Sequence, residues 1–218
     1  MILLCAVIIG LTAGLVRAQI RKRKYHPLVL HQWWLVFLAV VPQLFAFSFP
    51  ATQSHFNSFW ARFILIASQL ILLAFIWRNR RELPLWIVGT GLALNLLVIV
   101  INGGWMPMSP ETLVKIRPDL ANETLLTGVR VGFGKDFLLD PTSTHLWFLS
   151  DIFVLPAWFP YRVAFSLGDI LVALGIIGLF YAQGDEITNE EGKNDIQPNF
   201  KSGKNKSSGD PFSVIRNE

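Results

Sequence analysis

Five apolar stretches, at residues 2–16, 33–49, 60–77, 85–101 and 161–182, are separated by clusters of charge, and they limit what this chain can become. The middle three hold no Asp, Glu or Lys, and their one arginine, Arg62, lies two residues from an end. Crossing a bilayer core about 30 Å thick takes roughly 20 apolar helical residues, with about 17–25 tolerated. The expectation is therefore an all-α, polytopic transmembrane helical bundle. The charged share is 16%, against about 25% in soluble domains.

The first stretch needs separate treatment because a signal peptide can mimic a span. A cleavable signal carries positive charge before its apolar run. Here nothing basic precedes Val16, and Arg17, Arg21, Lys22, Arg23 and Lys24 follow it. That polarity predicts a retained anchor running to about residue 20, with its N-terminus outside. Threading five spans from there puts 13 of the 19 basic residues inside. They fall after the first span, at Arg78, Arg80 and Arg81, and in the C-terminal segment. The other six, Arg62, Lys115, Arg117, Arg130, Lys135 and Arg162, fall outside. Short loops rich in Lys and Arg face the cytoplasm, so the prediction is five spans (about 2–20, 33–49, 60–77, 85–101 and 161–182), N-out and C-in. Trp33, Trp34, Trp60, Trp77, Trp86 and Trp105 lie near span ends, where indoles favour the interface. The net charge of +4 does not point to nucleic acid, because the basic residues sit at helix ends.

Residues 102–160 form the one long outer segment and read as an extracytoplasmic loop cap on the 1–182 transmembrane domain. Ser109-Pro-Glu-Thr112 predicts a short helix, with Pro110 early and Glu111 near the positive end. Residues 121–140, spaced by Gly128, Gly132 and Gly134, read as irregular. Leu146–Leu155 is apolar but too short to span, so it is expected as a short interfacial or re-entrant helix ended by Pro156. A sixth span over 145–160 is the rival. Residues 183–218 are rich in Gly, Ser, Asn and charge, which predicts a disordered cytoplasmic tail.

Asp169 is the sharpest candidate for chemistry. If the last span begins near 161, it lies about 12 Å deep at 1.5 Å per residue, where a carboxylate usually faces the bundle interior or water. Ser166 shares its face, and Gly168 allows close backbone approach. Asn102, Gly103, Met106 and Pro107 sit at the outer end of the fourth span, Asp151 lies on the short outer helix and His145 precedes it by six residues; all share the outer leaflet with Asp169. Two carboxylates and an Asn suit acid–base work or a cation site, although the spacing matches no metal motif. Gln43, Ser68, Gln69 and Asn95 read as amides and hydroxyls that hydrogen-bond between helices. No phosphate loop, nucleophile elbow or zinc pattern occurs, so no cofactor, no metal and no catalytic set is expected.

Three segments recur together in a known pattern. They are Asn102-Gly-Gly-Trp-Met-Pro-Met-Ser109, His145-Leu-Trp-Phe-Leu-Ser-Asp-Ile-Phe-Val-Leu-Pro156 and Ser166-Leu-Gly-Asp169. With them the chain resembles a family of bacterial multi-pass membrane proteins of unknown function, over roughly residues 1–182. The resemblance implies a bacterial cytoplasmic membrane and singles out Asn102, Gly103, Met106, Pro107, Asp151, Pro156, Ser166, Gly168 and Asp169. It supplies a class and a candidate site, not an activity. The leading expectation is an integral membrane protein with a polar outer-leaflet pocket, serving binding or assembly rather than catalysis. Its partners would be the lipid bilayer and other membrane subunits. A small transporter or transporter subunit using Asp169 as its protonatable or cation-binding group is one alternative. A membrane-embedded enzyme using Asp151 and Asp169 is another.

Overall fold

The computed structural model describes residues 2–22, 25, 29–49, 57–132 and 134–183. The chain divides into Met1–Glu186 and Ile187–Glu218, and every described residue belongs to the first unit. The expected tail beyond Gln183, residues 50–56, and Arg23 and Lys24 lie outside the described residues.

Among the described residues, five apolar helices and one short helix carry the fold. They are α1 (Ile2–Ile20), α2 (Trp34–Phe47), α3 (Ser58–Arg78), α4 (Leu83–Ile101), the short α5 (Pro110–Ile116) and α6 (Leu167–Ala182). Three of them, α1, α3 and α4, are long and apolar enough to cross a membrane; α2 and α6 are apolar but shorter, with 14 and 16 residues. Local signals set the ends. Asn57 caps α3 by accepting from the Trp60 N–H at 3.0 Å, Pro84 opens α4, and Ser109 caps α5 by accepting from the Thr112 N–H at 3.2 Å.

The five apolar helices pack in the lateral order α2, α3, α4, α6, α1. Small residues set the closest approaches. Ala6, Gly10, Gly14 and Ala18 recur every fourth residue on α1 and form its buried face. A Cβ on Gly14 would lie 2.5 Å from the Phe180 carbonyl oxygen of α6. Between α4 and α6, a Cβ on Gly91 would lie 2.5 Å from the Gly168 carbonyl oxygen, and one on Gly175 would lie 2.6 Å from Val88 Cγ2. Such contacts bring backbones together without relying on side-chain interdigitation. Phe75, Ile76, Leu85, Val88, Leu92, Val172 and Leu179 fill the layer between α3, α4 and α6.

Residues 102–166 form a cap on one end of these helices, and here the expected all-α fold is corrected. The structure is mostly helical, but the cap holds five short strands. In the first sheet, order β1-β3-β2, β1 (Met106–Met108) runs parallel to β3 (Asp136–Leu138) with Met106 opposite Asp136. Strand β2 (Val129–Arg130) pairs antiparallel to β3. The stretch read as irregular therefore supplies two strands. The stretch read as an interfacial helix is a 3₁₀ turn at Trp147–Leu149, followed by β4 (Phe153–Val154) paired with β5 (Ala164–Phe165). Apolar runs of this length suit either a buried strand or a helix, and pairing with 164–165 decides for the strand. That pairing also moves the start of the last helix from about 161 to Leu167. Met108, Leu113 and Leu138 form the cap's own core. Leu65, Val98, Ile99, Met106 and Leu149 join the cap to α3 and α4.

Candidate functional site

Two polar junctions fasten the cap to the helix ends, and an ion pair ties two parts of the cap to each other. The first junction is Asn102, the residue that terminates α4. Its Nδ2 donates to the carbonyls of Val98 (2.8 Å) and His145 (2.9 Å), and its Oδ1 accepts the His145 N–H at 3.0 Å. One side-chain amide thus pairs with the cap backbone as a strand would. Gly103 and Gly104 follow with φ of +78° and +90°, and a Cβ on Gly104 would fall 2.9 Å from Arg62 Cδ. Glycine is the residue that tolerates this turn. The Gly103 carbonyl accepts from Arg62 Nη1 at 3.2 Å.

The second junction joins α4 to the start of α6. Ser166 Oγ accepts the Asp169 N–H, and Asp169 Oδ2 accepts the Ser166 N–H, both at 3.1 Å, so the two residues form a reciprocal capping box. Asn95 of α4 completes the group. Its Nδ2 donates to Asp169 Oδ1 at 3.0 Å, and its Oδ1 accepts from Ser166 Oγ at 2.8 Å. A Cβ on Gly168 would overlap Asn95 Oδ1 at 2.1 Å, so glycine is required for Asn95 to reach the box. Asp169 therefore sits in the first turn of α6, not two turns into a span, and the depth of about 12 Å expected for it is corrected accordingly.

Between the junctions lies the ion pair. Asp151 follows the 3₁₀ turn, and its N–H donates to the Pro107 carbonyl at 3.1 Å, while the Met106 N–H donates to the Lys135 carbonyl at 3.1 Å. Strand β1 thus holds the two residues face to face. Lys135 Nζ donates to Asp151 Oδ2 at 2.6 Å and stands 3.4 Å from Asp136 Oδ1. The Asp151 side chain is 1% exposed, and its Oδ1 is buried with no hydrogen-bond partner among the described residues. Burial, with the charges of Asp136 and Asp169 added, pushes the Asp151 carboxyl up to about 7 against the pull of Lys135. Burial favours the neutral amine of Lys135, but the carboxylates of Asp151, Asp136 and Asp169 together outweigh it and raise its pKa. Asp151 and Asp169 are thus close enough to feel each other's charge.

The eight sequence candidates divide cleanly among these features. Met106 and Pro107 position Asp151; Ser166, Gly168 and Asp169 meet Asn95; Asn102 and Gly103 hold the His145 backbone and Arg62. Lys135 and Asp136 were not singled out as site residues by sequence. The available signal was Asp151 itself, since an acid within an apolar run needs a cation and the outer segments offer six. His145 joins through its backbone. Trp105, expected at the interface, is buried in the cap, stacked on Phe137 with Arg130 4.7 Å from its ring.

Lys135, 39% exposed, also lines a cleft of about 310 Å³ between the cap and α2. Val40, Leu44, Phe47 and Leu65 form its apolar wall; Gln43, Ser48, Lys135 and Asp136 form its polar end. None of the eight candidates lines it. Among the described residues, no three His, Cys, Asp or Glu side chains converge on a metal position.

The sequence model of DUF5317, a family of unknown function, matches residues 27–181. The chain belongs to DUF5317. The DUF5317 match contains both junctions, the ion pair and the cleft, and α1 precedes it. No curated protein and no solved structure matches the chain.

Proposed function

We propose that this member of DUF5317 is a multi-pass integral protein of a bacterial cytoplasmic membrane, with five spans, N-out and C-in, whose outer cap holds a binding cleft. The two shorter helices are about 21 and 24 Å long at 1.5 Å per residue. They span if the bilayer thins locally or flanking residues reach to the headgroups. The observation that carries the binding role is Lys135. Its ammonium is held by Asp151 and Asp136, and it lies at the polar end of a cleft whose other wall is apolar. That arrangement suits an amphiphile with a polar head and an apolar body. Val40 and Leu44 are 38% and 42% exposed, which gives such a ligand a lateral way in.

The Asp169 geometry favours a bracing role over a transport role. Both carboxylate oxygens are engaged by Asn95 and Ser166, in the turn that starts α6. An enzyme built on Asp151 is disfavoured by its closure beneath Lys135.

The test is native mass spectrometry of wild type and Val40→Trp purified from their own membranes. The cleft reading predicts a retained amphiphile in the wild type and its loss in the variant, with thermal stability unchanged. The same ligand complement in both proteins would count against it.

A further inference from the structure

At the helix ends opposite the cap, the α3–α4 turn forms a cavity of about 590 Å³. Arg78, Arg80 and Arg81 line it, with His31, Glu82 and Trp77 beside them. A second cavity of about 320 Å³ shares Trp77 and Arg80 with the first and continues between α3 and α4 over Ile76, Gly89 and Ala93. We infer that the two together seat one anionic phospholipid, its phosphate among the three arginines and one acyl chain in the groove. This inference rests on the membrane reading above, which puts this end at the cytoplasmic leaflet.

Charge selects the head. Three arginines and one carboxylate, Glu82, line the cavity, with Arg78 Nε donating to Gln32 Oε1 at 3.1 Å, so its net charge favours an anion, and basic pockets between membrane helices on the cytoplasmic side suit such headgroups. The wall is preset. Asn79, 5% exposed, donates to the carbonyls of His31 and Phe75, both at 2.9 Å, and accepts the His31 N–H at 2.8 Å. This ties the chain before α2 to the turn. Arg80 lies 5.2 Å from the Trp77 ring, and its carbonyl accepts from Trp86 Nε1 at 2.8 Å. The groove selects the tail. Apart from Arg80 and Thr90 its walls are apolar. Ala93 stands ten residues into α4, about 15 Å along the helix, which is acyl-chain depth rather than headgroup depth. A free phosphate would leave that groove unfilled.

The test titrates purified protein in detergent with dioleoyl-phosphatidylglycerol, dioleoyl-phosphatidylcholine and glycerol 3-phosphate, and reads bound ligand by native mass spectrometry. The expected result is one retained phosphatidylglycerol, favoured about tenfold or more over phosphatidylcholine. Glycerol 3-phosphate does not displace it. Retention falls to the phosphatidylcholine level in the Arg80→Gln/Arg81→Gln variant, survives in Arg80→Lys/Arg81→Lys, and weakens in Ala93→Phe, which fills the groove and leaves the arginines in place. Three results overturn the inference: equal retention of both lipids by wild type, unchanged retention by either the glutamine or the Ala93→Phe variant, and displacement by glycerol 3-phosphate. Failure of the membrane reading is seen separately, as release of the chain from membranes by alkaline carbonate.

Discussion

Lys135 Nζ meets Asp151 Oδ2 at 2.6 Å, so a side chain 39% exposed neutralises one that is 1% exposed. Removing one member of a buried pair costs about 3–5 kcal/mol because the other stays behind uncompensated. Partial exposure of Lys135 places Lys135→Met near the low end, about 3 kcal/mol, at pH 8, where Asp151 is ionised in the wild type. Asp151→Asn in the same chain should recover much of that loss. Thermal unfolding of the two single variants and the double variant measures the coupling, and additive effects would show that the pair is not held in the folded protein.

The same acid gives the cap a pH dependence. Its pKa is raised from 3.8 unfolded to about 7 folded, so the folded state binds the extra proton between those values. Stability from this group is therefore present at low pH and is lost as pH rises from about 4 to about 7, levelling above. Lys135 does not mask the slope, because its pKa is raised from 10.5 and its contribution persists throughout that window. Melting temperature followed from pH 4 to pH 8 should show the fall in wild type and lack it in Asp151→Asn.

Ser166, Asp169 and Asn95 act as one group. Ser166→Ala removes the α6 cap, about 1 kcal/mol, and also deprives Asn95 Oδ1 of its donor. Asp169→Asn can keep only one of two accepted hydrogen bonds, a loss of about 1–2 kcal/mol. The double variant should lose less than the sum, because both singles break the same box. Additive losses in a double-mutant cycle would contradict the shared network.

Glycines along α6 provide an internal control. Gly168→Ala drives a methyl into Asn95 and the Gly91 carbonyl, at 2.1 and 2.6 Å, whereas a Cβ on Gly178 meets nothing nearer than Pro84 Cβ at 3.7 Å. Overpacking of this kind costs about 1–3 kcal/mol or more, so Gly168→Ala should lower folded yield while Gly178→Ala leaves it unchanged. Size-exclusion profiles in detergent compare the two directly.

Much of this was legible in the chain. The apolar runs locate α1, α3 and α4 to within a few residues, because an uninterrupted run of that length has few other uses. Ser109-Pro-Glu-Thr marks α5, and Asn95 reads correctly as a helix-joining amide. The start of α6 was legible but misread. Ser166 and Asp169 at a spacing of three are a capping box as well as a shared face, and the hydropathy of Val163–Phe165 concealed the boundary. The strands of the cap were not legible, since ladders of two or three residues carry little pattern of their own, and β1 is fixed by a partner thirty residues away, Met106 opposite Asp136. The role of Lys135 depends on the same long-range register.

The claim on which cleft and lipid seat both depend is that cap and α3–α4 turn lie on opposite sides of a membrane. In a Cys5→Ser background, Leu126→Cys reports the cap and Val29→Cys the opposite end; the native side chains are 70% and 81% exposed. A membrane-impermeant maleimide applied to intact spheroplasts should label position 126 and reach position 29 only after permeabilisation. Labelling of both positions from the same side would contradict the account.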